Sequence, residues 1–127
     1  MTALSLVFLG AGLGGVLRHL VNLTVLRWFG PTFPWGTLAI NVAGSLLMGL
    51  IASWLAEKAG ADWAHDARLL LMTGVLGGFT TFSAFSLDAW LLWERGAVLH
   101  AGAYVLASVV LSIAALGAGL GVGRALS

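Results

Sequence analysis

Cysteine is absent from this 127-residue chain, which excludes disulfides, thiol catalysis and zinc–thiolate sites. Charge is scarce: 9% of residues are charged, against about 25% in a typical soluble domain. The formal net charge is +1 and no basic patch or charge run occurs, so the chain has no electrostatic case for binding nucleic acid. No Asp or Glu precedes Glu57, and the two prolines both fall between residues 28 and 34. What remains is apolar: 60% hydrophobic residues, 18 glycines, and a mean hydropathy of +1.01. So few charges cannot clothe a water-soluble globule, so the solvent of this chain is largely lipid. The glycines lie inside apolar runs, where they let membrane helices approach closely, rather than in a linker or collagen-like repeat. The length suits one domain, residues 1–127.

A spanning helix needs about 20 mostly apolar residues. Four such stretches are present: Ala3 to Arg27, Trp35 to Ala56, Arg68 to Trp93 and Ala97 to Gly123. The first lacks a basic leader and a cleavage pattern followed by a soluble domain, so it is expected to be a retained helix rather than a signal peptide. Residues 28–34 hold both prolines, residues 57–67 hold most of the acids, and residues 94–96 form a tight turn. All six tryptophans (Trp28, Trp35, Trp54, Trp63, Trp90 and Trp93) fall at or near span ends. That is the aromatic belt expected at headgroup level. The expected fold is therefore an all-α membrane protein with four transmembrane helices.

Orientation is weakly encoded. An even number of spans puts both termini on one side, with Lys58, Arg68 and Arg124. The other side has Arg27 and Arg95, with Arg18 a turn or two inside the first span. Loop cations normally set orientation, and here they hardly choose. The expectation is dual topology, with oppositely inserted copies pairing as an antiparallel homodimer about a two-fold axis in the membrane plane.

Several motifs lead elsewhere than their pattern suggests. Gly10-Ala11-Gly12-Leu13-Gly14-Gly15 matches a dinucleotide fingerprint, but no acid follows at the required distance to hold a ribose. Gly10 and Gly14 read instead as helix-packing residues. Asn22-Leu23-Thr24 is a glycosylation sequon inside a span. His19, His65 and His100 lack metal-ligand spacing, and no nucleophile–base pair appears, so an enzyme is the least expected reading.

Two spans carry polar stripes. Thr37, Asn41 and Ser45 recur every four residues, as do Tyr104, Ser108 and Ser112, so each set shares one helix face. Hydroxyls can bond back to their own helix or join helices together. Asn41 has no such outlet, and an amide unpaired in lipid costs several kcal/mol. The stripes are neutral and rich in donors, whereas a cation path would use carboxylates or carbonyl rings. Arg18 adds a permanent charge that either snorkels to the interface or draws an anion towards a vestibule. Together these features suggest a pathway for a small anion.

The third span contains Gly74-Val75-Leu76-Gly77-Gly78-Phe79-Thr80-Thr81-Phe82-Ser83-Ala84-Phe85-Ser86. Three glycines followed by β-branched and hydroxyl residues make a poor helix. A break there would free backbone carbonyls in mid-membrane, and those groups must find protein, water or an ion. A two-fold axis through the break would gather two sets of carbonyls around a buried monovalent cation.

The segment from Gly77 to Phe85 resembles the third-span motif of the Fluc (CrcB) family of small fluoride channels. Gly36-Thr37-Leu38-Ala39-Ile40-Asn41-Val42-Ala43-Gly44 resembles its second-span motif, and Gly14-Gly15-Val16-Leu17-Arg18 is similar to the end of its glycine-rich first span. The resemblance implies two antiparallel subunits forming two fluoride pores in a bacterial inner membrane, lowering cytoplasmic fluoride passively. It places a structural sodium ion on the main-chain carbonyls of Gly77 and Thr80. It places the anion path on Asn41, Phe82, Phe85, Tyr104, Ser108 and Ser112, and the vestibule charge on Arg18; Thr37, on the stripe of Asn41, and Ser83, beside Phe82, are expected on the same path. Aromatic rings have a positive edge, so Phe82 and Phe85 can favour an anion without trapping it. Ala84 departs from the Thr of many members, and Leu87-Asp88 departs from the expected placement of an acid, so Asp88 receives no role.

Two other readings compete. A small dual-topology multidrug or guanidinium-type exporter also has four spans, but proton coupling needs an ionisable group deep in the membrane, and Asp88 lies near a span end. A membrane scaffold would use the glycines for packing and the stripes as glue, and would pass no ion.

Overall fold

The computed structural model describes residues 2–127 and contains no strand among them. Helix α1 covers Ala3–Phe29; Thr2 starts it by accepting the Ser5 N–H at 3.2 Å, and Gly30 ends it at φ 76°. Glycine tolerates that left-handed conformation without a Cβ clash. Helix α2 covers Trp35–Glu57. The third span is composite: α3 (Ala64–Arg68), a wider π-type stretch (Leu69–Leu76), α4 (Gly77–Phe79) and α5 (Phe82–Glu94). Helix α6 covers Val98–Ala125.

Among the described residues, four helical runs are long and apolar enough to cross a membrane: 3–29, 35–57, 64–94 and 98–125. Three match the sequence reading to within two residues at each end. The third starts four residues earlier than expected, because part of the acidic 57–67 stretch is helical. Its entry is pinned by Trp63, whose ring lies 5.6 Å from that of Trp54, and by Ala64, which is buried.

Helicity in the third span stops after Phe79. Thr80 (φ −80°, ψ 157°) and Thr81 (φ −151°, ψ 123°) are extended, and Phe82 resumes the helix.

Glycines set the packing. A Cβ on Gly14 would lie 2.0 Å from the Val75 carbonyl oxygen, and one on Gly10 would lie 2.5 Å from that of Leu70. The apparent dinucleotide fingerprint is thus a close backbone contact between α1 and the first half of the third span. Helices α2 and α6 meet the same way through Gly49 and Gly119. Helix α5 leaves α1 and packs on α6, where Leu38, Phe85, Leu92, Ala101 and Tyr104 form the core. Large apolar side chains remain exposed along every span, among them Leu13, Phe29, Phe82, Leu106 and Ile113, as suits a surface met by lipid or another chain.

Candidate functional site

Asn41 forms the site's central contact. Its Nδ2 donates to the Thr81 carbonyl at 2.9 Å, and its Oδ1 accepts the Thr81 N–H at 2.8 Å. The carboxamide therefore replaces the helical acceptor that the extended Thr81 N–H has lost, which an apolar environment would otherwise leave unpaired, and adds a second donor to a carbonyl that already starts α5. Thr81 also caps α5, its Oγ1 accepting the Ala84 N–H at 3.1 Å.

These two bonds divert donors. In a continuous helix the Thr81 N–H would go to the Gly77 carbonyl and the Ala84 N–H to the Thr80 carbonyl. Both go to side chains instead, which leaves those two carbonyls without their usual donors. Oxygen donors of this kind fit a hard monovalent cation, and no cluster of His, Cys, Asp or Glu suited to a metal occurs among the described residues.

Beside the interruption lies a groove of about 390 Å³ between α2, α5 and α6, lined by Asn41, Ser45, Thr80, Phe82, Ser108 and Ser112 among others. The Phe82 and Phe85 rings both reach it, with centroids 5.5 Å apart and planes 52° apart. They differ in setting: Phe82 is 78% exposed and Phe85 only 8%.

The hydroxyls of Ser108 and Ser112 are buried and have no hydrogen-bond partner. Other hydroxyls in the chain do bond back to their own helix: Thr24 to the Leu20 carbonyl, Ser53 to Leu50 and Ser86 to Phe82, each at 2.9 Å. Back-bonding therefore fails to account for the α6 stripe where it meets the groove. The first-turn N–H groups of α5, including those of Phe82 and Ser83, also lack intrahelical acceptors, and they carry the positive end of the helix dipole. The groove thus offers donors and partial positive charge, with no carboxylate in its lining.

The remaining expected residues are distributed differently. Tyr104 is fully buried behind Phe85, ring centroids 5.2 Å apart. Thr37 lines a second pocket of about 240 Å³ at the end of the bundle, with Asn22, Asp88 and Arg95. Ser83 is exposed, 3.4 Å from the Thr81 hydroxyl, and does not line the groove. Arg18 is half-buried and lines neither cavity.

Asp88, which the sequence reading left without a role, has a side-chain partner: its Oδ2 accepts the Tyr104 hydroxyl at 3.1 Å. This contact could not be read from distance along the chain. Asp88 and Tyr104 lie on different helices, and only the α5–α6 turn brings them together. The signal available was that Asp88 is the lone acid inside the third span.

The fold and this site define a multi-pass membrane protein with four apolar spans, three of which line a donor-rich groove. The chain belongs to the CrcB family: the family model described as CrcB-like protein, Camphor Resistance (CrcB), matches residues 5–120. It is 58% identical over 122 residues to a protein of Rhodopseudomonas palustris named fluoride-specific ion channel FluC, covering 96% of this chain and 97% of that one. A Mesorhizobium japonicum protein of the same name is 52% identical over 126 residues, covering 99% of each chain. One from Methylobacterium nodulans is 58% identical over 118 residues, covering 93% of each. The resemblance drawn from the motifs is to this same family.

Proposed function

We propose that this protein is a fluoride-selective ion channel of the bacterial inner membrane that lets fluoride leave the cytoplasm passively. The observation that carries the reading is the pair of buried, unpartnered hydroxyls of Ser108 and Ser112 facing a groove with Asn41 and Phe82. Such hydroxyls are costly in an apolar environment unless something bonds to them. Donors without carboxylates suit a small anion that must exchange its water for protein contacts. The relatives' shared name supplies fluoride as that anion.

In this reading fluoride passes along Asn41, Ser108 and Ser112, with Phe82 and Phe85 presenting ring edges and Ser83 adding a hydroxyl at the start of α5. Arg18 attracts the anion into the vestibule. Thr37 and Tyr104 continue the polar track beyond Phe85. The interruption at Thr80 and Thr81 sits in mid-membrane, and two antiparallel copies meet there, since one copy leaves Phe82 and long apolar faces uncovered. The Gly77 and Thr80 carbonyls would hold a sodium ion, which supplies positive charge that cements the interface.

The test is efflux from liposomes holding the purified protein, read with a fluoride electrode and repeated with chloride. Rapid fluoride release without chloride release is expected. Release of neither ion from folded protein would sink the reading and put the exporter or scaffold in front; the exporter makes Asp88→Asn the next variant.

A further inference from the structure

Between α1 and α2 the chain makes a short clasp, Gly30 to Pro34, over the end of the bundle. Gly30 turns it, and Pro34 (φ −79°, ψ 62°) is the centre of an inverse γ-turn closed by the Trp35 N–H on the Phe33 carbonyl at 2.8 Å. Both prolines limit its freedom. The turn sends the Phe33 ring inward. It meets Tyr104 edge-on, with centroids 5.5 Å apart and planes at 88°, and Trp35 at 4.6 Å on its other side. From across the bundle, the Arg95 guanidinium donates to the Thr32 carbonyl and ties the clasp to the end of α5.

Tyr104 is thereby held from two sides. Phe85 packs on one part of its ring at 5.2 Å and Phe33 on another at 5.5 Å, while its hydroxyl reaches Asp88 at 3.1 Å. A tyrosine has two side-chain torsions, and packing against its ring selects among their wells. Edge-to-face contacts of this kind add attraction beyond the area they bury. Phe33 lies outside the donor-lined groove and borders the second pocket, with Thr37 and Asp88.

We infer that Phe33 is a positioning residue, latched by Arg95 through the Thr32 carbonyl, that fixes the Tyr104 ring so that its hydroxyl faces Asp88, and that conduction depends on this placement. The conduction half rests on the channel reading above; the positioning half does not. Without Phe33, the Tyr104 ring gains room towards the clasp and its hydroxyl leaves the carboxylate for part of the time. The polar track then loses a fixed hydroxyl at one end.

Tyr104 is the only tyrosine in the chain, so biosynthetic 3-fluorotyrosine gives a single 19F resonance reporting on it alone. The experiment compares wild-type protein, Phe33→Ala, Phe33→Trp and Arg95→Gln in detergent and in liposomes. Phe33→Ala is expected to move and broaden the resonance and to slow fluoride efflux by roughly fivefold to tenfold, the factor equivalent to one neutral hydrogen bond. Arg95→Gln moves both in the same direction by less. Phe33→Trp, which keeps an aromatic ring at the contact, restores both, as loss of folding in the alanine variant could not explain. An unmoved resonance in Phe33→Ala overturns the inference, and so does a moved resonance with wild-type efflux. Wild-type protein that releases no fluoride defeats the channel reading and the conduction half together, while the resonance still judges the positioning.

Discussion

At the scale of single residues, the chemistry turns on which polar groups have partners. Asn41 bonds both backbone groups of Thr81, so Asn41→Ala leaves the part-buried Thr81 N–H unpaired and takes one donor from its carbonyl. A loss of about 2–3 kcal/mol is expected, seen as a lower unfolding midpoint in detergent, together with loss of fluoride efflux. Asn41→Asp keeps the acceptor, loses the donor and adds a negative charge beside an anion path, so its efflux falls at least as far. Ser108→Ala and Ser112→Ala behave oppositely. Their hydroxyls bond to nothing in the chain, so each substitution changes stability by less than about 1 kcal/mol. Efflux falls all the same, because the passing ion loses a donor. Equal unfolding midpoints with unchanged efflux would remove both serines from the path. The two kinds of variant therefore separate groups that hold the fold from groups that serve the ion.

At the scale of helices, backbone contact sets the geometry. A Cβ on Gly49 would lie 2.2 Å from the Leu116 carbonyl oxygen, and one on Gly119 would lie 2.3 Å from that of Leu46. Backbone cannot yield as a flexible side chain does, so α2 and α6 must separate. Gly119→Ala is expected to cost about 1–3 kcal/mol, read as earlier aggregation on heating. Gly121→Ala on the same helix meets nothing within 4 Å in the subunit and leaves that midpoint nearly unchanged. The same logic governs the third span. Its Gly74-Val75-Leu76-Gly77-Gly78 run is a weak helix former, so the interruption follows where Thr81 can cap α5 and Asn41 can satisfy the freed backbone. The weakness of that run was legible in the sequence, and so was the need to satisfy freed groups. The identity of the group doing so was not, because Asn41 and Thr81 are 40 positions apart.

At the scale of the whole molecule, one copy looks incomplete. Phe82 is 78% exposed and one face of α1 carries uncovered leucines, including Leu13, Leu17 and Leu20. In the proposed antiparallel pair a second copy would supply the missing cover, and nearly balanced loop charges would permit such an arrangement. Asp62→Arg with Asp66→Arg adds cations to the side bearing the termini and is expected to hold that side in the cytoplasm. Lys58→Gln with Arg124→Gln biases insertion the other way. A C-terminal reporter should show each bias, each variant alone should lose fluoride release, and co-expression should restore it. Full activity from either variant alone would rule out dual topology.

Some of this protein was decided by its residues in order. Hydropathy, tryptophan placement and proline position determined four spans and their ends, because burial in lipid is a local property of about 20 consecutive residues. The every-fourth spacing of Thr37, Asn41 and Ser45, and of Tyr104, Ser108 and Ser112, determined which polar groups share a helix face. The tertiary structure alone decided which of those groups stay free. It gave Asn41 to Thr81, Tyr104 to Asp88 and Arg95 to Thr32, and left Ser108 and Ser112 open to the groove. A hydrogen bond depends on distances of about 3 Å between atoms, and for residues on different helices those distances are set by packing rather than by position in the chain.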